Sequence, residues 1–342
     1  MATLGANFVD LIDLYKQQDG NGNIVPVIEM LNEMNPILDD AIAVECNKGS
    51  SHLHSVRTGL PSVAWGRLYQ GISQSKSRRA QVEDTTGFVE ALSSVDKRVL
   101  DLSGNGGAVR LSEAQAFLEA MNQEVASKLF YGNTAADPEE FMGLAPRFSD
   151  TSAANGGQII DAGGTGSDNT SIWFVTWGEN ACHLLYPKGT KAGVTREDKG
   201  EQRVLDSNDN PYYVMEELFR WHIGLALKDW RFVTRIANID VSLLAADPTD
   251  LDGSDLTIYD VMRKAYWKHA GRRPGMGGMG RTAIYANGDV LEALDAASTN
   301  SGTNDSFVRL TPKEIEGKEV LTYRGMPLRE TDALVNTEAR VT

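Results

Sequence analysis

The sequence predicts an α+β protein, and three observations carry that expectation. The stretch R-L-S-E-A-Q-A-F-L-E-A-M-N-Q-E-V-A-S-K-L-F-Y-G (110–132) has helical period. The chain before it has the turn-punctuated alternation of an arm and a hairpin, and the chain after it mixes strands and helices. Finally, 342 residues with 41% apolar and 23% charged content suffice for a sizeable core, in one large domain or two smaller ones.

The helical stretch is the structural spine of this reading. Ser112 followed three residues later by Gln115 reads as a capping box, with Glu113 in the first turn at the positive end of the helix dipole. Phe117, Leu118, Met121, Val125 and Leu129 share one side, and Gly132 is a stop signal. The spacing therefore predicts a helix over 112–131.

Composition narrows the function. The formal net charge of -14 argues against wholesale nucleic-acid binding, which needs a basic footprint. Cys46 and Cys182 are too few for a disulfide framework and suggest a reducing folding compartment. The N-terminal segment lacks a basic n-region and carries Asp10 and Asp13, and no apolar run approaches membrane-spanning length, so a soluble chain is expected.

In order along the chain, short helices are expected at 8–15 and 26–33. The D-G-N-G-N run at 19–23 fails as a calcium loop, because Ile24 and Met30 stand where glycine and a bidentate Glu are needed. Strands at 41–46 and 51–57 flank a turn at 48–50. His52 and His54 share one strand face with no third metal ligand nearby, which predicts exposed or hydrogen-bonded histidines. Two extended arms, 62–69 and 79–86, are joined by a polar projecting tip at 73–78. The basic cluster Lys76, Arg78 and Arg79 fits a solvated tip or a neighbour's acidic patch better than nucleic acid.

A helix at 94–102 leads into the spine. Strands follow at 171–177 and 182–186, then a polar, exposed stretch at 187–203. Residues 212–240 read as a long two-strand ribbon, with a helix over 216–227 as the alternative. A helix at 256–269, a strand at 282–286, a helix at 289–297 and strands at 307–310, 320–323 and 327–330 complete the chain.

No catalytic motif survives inspection. The G-M-G-G-M-G run from Gly275 to Gly280 spells a dinucleotide fingerprint, but it follows a helix and precedes a strand, the reverse of what phosphate binding needs. Cys182 and His183 are adjacent on a strand and point to opposite faces, so they make a poor nucleophile–base pair. No cofactor and no metal site are expected.

Five stretches taken together resemble the major capsid proteins of tailed bacteriophages with the Hong Kong 97 fold, in the group typical of short-tailed phages. They are R-T-G-L-P-S-V-A-W-G-R-L-Y-Q-G (57–71), L-S-E-A-Q-A-F-L-E-A-M-N-Q-E-V-A-S-K-L-F-Y-G-N (111–133), P-E-E-F-M-G-L-A-P-R-F (138–148), W-G-E-N-A-C-H-L-L-Y-P-K-G (177–189) and L-K-D-W-R-F-V-T-R-I-A-N-I-D (227–240). The resemblance implies an N-terminal arm at 1–57 and an extended loop at 58–90. It further implies a peripheral domain of 91–149, 212–240 and 301–342 around the spine helix 112–131, and an axial domain of 150–211 and 241–300.

By the same resemblance the chain is a structural protein, not an enzyme, that self-assembles as hexamers and pentamers into an icosahedral shell around double-stranded DNA. That shell belongs to the virion and is built in the host bacterial cytoplasm. Expected partners are a separate scaffolding protein, a portal and a decoration protein, with packaged DNA facing the inner surface non-specifically and no membrane. Pro61, Trp65, Leu68 and Tyr69, with Lys76, Arg78 and Arg79, are the inter-subunit contact candidates, because an apolar projecting hairpin suits burial against a partner. Two alternatives stay open at this point: an oligomeric enzyme with a nucleotide site near Gly275 to Gly280, and another virion part such as a tail or decoration protein.

Overall fold

A computed structural model describes residues 33–206, 208–247, 250–251, 256–273, 280–299, 310–315 and 318–342. The expected helices at 8–15 and 26–33, the rejected calcium loop, the Gly275 to Gly280 run and the strand at 307–310 lie outside them, save Glu33, Gly280 and Leu310 at their ends.

After a single helical turn, α1 (Ile37–Asp40), the strands β1 (Ala43–Glu45) and β2 (Ser51–Gly59) flank the expected turn. They do not form a hairpin. β1 pairs in parallel with β6 (Cys182–Tyr186), and β2 pairs antiparallel with the long β3 (Arg78–Asp96). β3 also takes the residues 94–96 expected to be helical, because Asp96 is an N-cap. Its carboxylate accepts from the Arg98 N–H, so α2 starts one residue on (Lys97–Leu102).

The spine helix α3 (Gly106–Tyr131) begins a turn and a half before Ser112 and is about 39 Å long. Ser112 and Gln115 are therefore interior residues, not a capping box. The side chain of Asn105 takes that role, its Oδ1 accepting from the Ala108 N–H at 3.3 Å. Met121, Val125 and Leu129 are buried as expected, whereas Leu118 is exposed. Gly132 ends the helix: a Cβ there would lie 2.5 Å from the Phe141 carbonyl oxygen.

A further turn, α4 (Leu144–Arg147), precedes β4 (Ile159–Asp161) and β5 (Asn169–Trp177). The polar stretch after β6 contains a full strand, β7 (Val194–Leu205), whose charged side chains suit its place at a sheet edge. β8 (Pro211–Leu227) is a strand, not a helix, over 216–227. It forms no ribbon with β9 (Val233–Asp240). A 3-10 turn at Trp230–Phe232 separates them, and β8 pairs with β7 and β6 while β9 pairs with β4 and β5. In the remainder, α5 (Val241–Ala246) is a helix the sequence reading does not foresee. α6 (Ile258–Lys268), β10 (Arg281–Ala286) and α7 (Gly288–Thr299) follow expectation, β11 (Leu310–Ile315) starts at the last residue of the expected 307–310 strand, and β12 (Lys318–Tyr323) and β13 (Met326–Glu330) again follow expectation.

The chain forms two compact units. The first comprises Phe88–Ala126 and Ala192–His222 with Glu33. Within it the first five turns of α3 cover one face of the β7–β8 ladder, burying Ala114, Met121 and Phe219 with Val89, Ala91, Phe117 and Trp221 packed around them. Glu217 is buried there between two guanidiniums, Arg110 and Arg196.

The second unit comprises Met34–Gly87, Ser127–Lys191 and Ile223–Thr342. Its sheet runs β11-β12-β13-β10-β5-β6, with β9 and β4 added beside β5. Both faces of β5 and β9 are buried throughout, which is why their sequences read as continuous apolar and small-polar runs rather than alternation. Helices α6 and α7 cover one face, burying Val261, Met262, Ala265, Val290 and Leu294 against Ile172, Phe174, Ile236 and Ile284.

On the other face of β5 and β9 lies a buried polar network. Arg235 donates to Glu338 Oε2 at 2.7 Å and to the Phe148 carbonyl at 2.9 Å. Glu338 Oε1 accepts from Tyr131 at 2.5 Å and Ser171 at 2.7 Å, and Ser171 Oγ accepts from the Trp173 indole. Burial, followed by the Glu338 charge, raises the Tyr131 pKa.

The glycine-rich loop 155–166 is packed, not floppy. A Cβ on Gly156 would fall 1.9 Å from the Thr151 carbonyl oxygen, whereas Gly157 has open space. Gly156→Ala is therefore expected to destabilise the protein by about 1–3 kcal/mol or more, and Gly157→Ala to stay within about 0.5 kcal/mol of wild type. Denaturant midpoints for the two variants check this, and equal midpoints would refute the close packing.

Two expectations about single residues resolve here. Cys46 and Cys182 are free and buried, and burial pushes the Cys182 thiol up to about 12, fitting a packed residue rather than a nucleophile. His52 and His54 are neither exposed nor well hydrogen-bonded: both side chains are largely buried. Among the described residues no group of three or more His, Cys, Asp or Glu is arranged to hold a metal ion.

Candidate functional site

The β2–β3 ladder runs from Ser51 opposite Thr85 to Gly59 opposite Arg78, with a bulge between Arg57 and Gly59. Beyond it the chain leaves regular structure for residues 60–77. Pro61 has no N–H to donate, so the ladder cannot extend through it in both directions. The predicted arm at 62–69 is accordingly not a strand. The reversal sits at Leu68–Tyr69, not at the polar 73–78. Gln70 N–H donates to the Arg67 carbonyl there, and Tyr69 holds φ at +64°, a region bulky residues rarely adopt. Ser75 Oγ donates to the Ser62 carbonyl at 2.8 Å and ties the two limbs of the loop.

All seven candidate residues are exposed. Trp65 is 99% exposed and Leu68 91%, and Tyr69 is fully exposed. Leu60, Val63 and Ile72, which sequence reasoning did not single out, are also 79% exposed or more. Each alone would be unremarkable, but six large apolar side chains stand exposed together on one short loop, with none tucked back. The signal for the missed three was present, since each sits within three residues of a residue already selected. Lys76, Arg78 and Arg79 line the returning limb and form no ion pair among the described residues. Three cations thus stand at the base of an apolar tip.

A model of the family described as major capsid protein GP7 matches residues 19–342. The chain belongs to that family. It is a tailed-phage major capsid protein of the Hong Kong 97 type, a structural component of the head shell. Its fold agrees with this: a chain in the structure of bacteriophage Epsilon15 is similar over 100% of both chains, with 35% identity and a TM-score of 0.78. A chain of the bacteriophage JBD30 capsid shares the fold at 11% identity and a TM-score of 0.50, over 97% of this chain and 96% of that one. No curated protein matches. The enzyme alternative finds no support in this family, and a tail or decoration role gives way to the shell itself. Self-association is thus the chemistry of this capsid protein, and its site is a surface.

Proposed function

We propose that residues 58–90 are the extended loop by which each capsid subunit grips its neighbour, with the exposed apolar tip as the anchor. The supporting observation is the exposure, above nine-tenths in each case, of Trp65, Leu68 and Tyr69 on a loop outside regular structure. Lys76, Arg78 and Arg79 then meet carboxylates of an acidic neighbour, which a copy of this chain with net charge -14 supplies. Residues 1–57 serve as the N-terminal arm. The spine helix belongs to a peripheral domain of 91–149, 212–240 and 301–342, and 150–211 with 241–300 form the axial domain.

Subunits meet as hexamers and pentamers, and many moderate contacts sum to a stable closed shell through multivalency. A separate scaffolding protein guides closure, a portal occupies one vertex, and a decoration protein adds to the exterior, all in the host cytoplasm. Packaged DNA faces the inner wall without being gripped, in keeping with the acidic chain.

Protease access to the loop tests the contact. In free subunits chymotrypsin is expected to cut at Trp65, Leu68 or Tyr69 rapidly, and in assembled shells at least ten-fold more slowly. Equal cleavage in both would remove the loop from the interface.

A further inference from the structure

Three of the five histidines in the chain, His52 and His54 on β2 and His183 on β6, are gathered in one place. The ring centroids of His52 and His183 are 5.6 Å apart, edge to face, and those of His52 and His54 are 6.3 Å apart. β2 and β6 are not hydrogen-bonded neighbours in the sheet, so these rings are a side-chain clasp between the root of the hairpin and the strand β6. His183 is fully buried, His52 is 7% exposed, and the His54 side chain is 9% exposed.

Their nitrogens are badly served. Nδ1 of His52 and both ring nitrogens of His54 and of His183 are buried without a hydrogen-bond partner of good geometry. By contrast, the equally buried His269 has Thr176 at 2.8 Å on Nε2 and Thr234 at 3.3 Å on Nδ1. Buried polar atoms are almost always paired, so a cluster of unpaired imidazoles calls for a reason.

We propose that this cluster is a proton-operated clasp: neutral, it holds the root of the β2–β3 hairpin against β6, and protonated, it lets the hairpin go. The charges around it set the direction. From β3 comes Asp84, 3.8 Å from His54 Nδ1, but its carboxylate is already engaged by Arg147 at 2.8 Å. Arg147 itself lies on α4, and Lys228, just beyond β8, opposes a charge on all three rings. Weak backbone contacts at Leu227 and Gly178 favour the charged rings but do not reverse the balance. One carboxylate thus faces two fixed cations and up to three imidazoliums.

Burial, then Lys228 and the neighbouring rings, lowers the pKa of His183 to about 4 from an ordinary 6.5. Burial likewise lowers His52 and His54. The closed state therefore binds fewer protons than the open one. For His183, opening is favoured as pH falls below 6.5, increasingly down to about 4, with no further gain below that, and His52 and His54 act in the same direction. For His183 alone, the shift makes opening about 20-fold more favourable at pH 5 than at pH 7. The consequence for assembly, a re-aimed loop 60–77, rests on the proposed role of that loop. The clasp itself does not.

Hydrogen exchange on the unassembled full-length subunit separates the two. Between pH 7.5 and 5.0, after correction for intrinsic rates, the β2 amides are expected to open at least 30-fold more, with β5 and β9 unchanged. In His183→Phe, which keeps a ring without a titratable nitrogen, the increase should shrink to a few-fold. If that variant fails to fold, the wild-type comparison of β2 with β5 and β9 still decides. A β2 change under three-fold, or an equal rise across β5 and β9, overturns the clasp. A clasp that opens while shell assembly is indifferent to pH would instead count against the loop reading.

Discussion

Glu338→Ala is expected to destabilise the subunit by about 3–5 kcal/mol, the largest single effect outside the core glycines and aromatics. The Glu338 and Arg235 side chains are 3% and 4% exposed, and the carboxylate accepts from Arg235, Tyr131 and Ser171 at once. Removing it strands a guanidinium beneath Trp173, whose ring centroid lies 5.0 Å away, with the Phe148 carbonyl as its one remaining acceptor among the described residues. An uncompensated buried charge, not the lost attraction, dominates the cost. Replacing both partners, as in Arg235→Met with Glu338→Leu, should therefore recover much of the loss. Urea unfolding of the unassembled subunit reads both variants. A loss below about 1 kcal/mol in Glu338→Ala would show that the network contributes little.

The second large effect falls on assembly and spares the fold. Changing Trp65, Leu68 and Tyr69 together to Ser removes three side chains that stay exposed among the described residues of the subunit. The unfolding midpoint is expected to match wild type. The concentration needed for assembly should rise by more than about 30-fold, because buried aromatic and aliphatic anchors dominate interface energies and each 1.4 kcal/mol is ten-fold. Light scattering against protein concentration measures it. A variant that assembles at the wild-type concentration places the anchor elsewhere.

Legibility from sequence tracked how local the determining interaction is. The spine helix was readable because its period repeats within each turn, and only its start was misplaced. Ser112 and Gln115 spell a capping box, but Asn105, hidden among glycines, makes the actual cap. Strand identity at β5, β6, β10 and β12 followed from β-branched and aromatic content. Strand pairing did not, since β1 finds β6 some 140 residues on, and β8 and β9 part company at Asp229, whose side chain accepts from the Arg231 N–H to cap the intervening turn. The loop's character was plain from an apolar cluster flanked by Pro61 and a basic run. Its reversal falls at Leu68–Tyr69 rather than in the polar 73–78, midway between the paired Gly59 and Arg78 that frame the loop.

The most direct test of shell formation by this chain is electron microscopy of the purified full-length protein, with and without a co-expressed scaffolding protein. Closed shells, or sheets and tubes with a hexameric lattice, are the predicted result, with the scaffold narrowing the size distribution. Discrete small oligomers under every condition would contradict it.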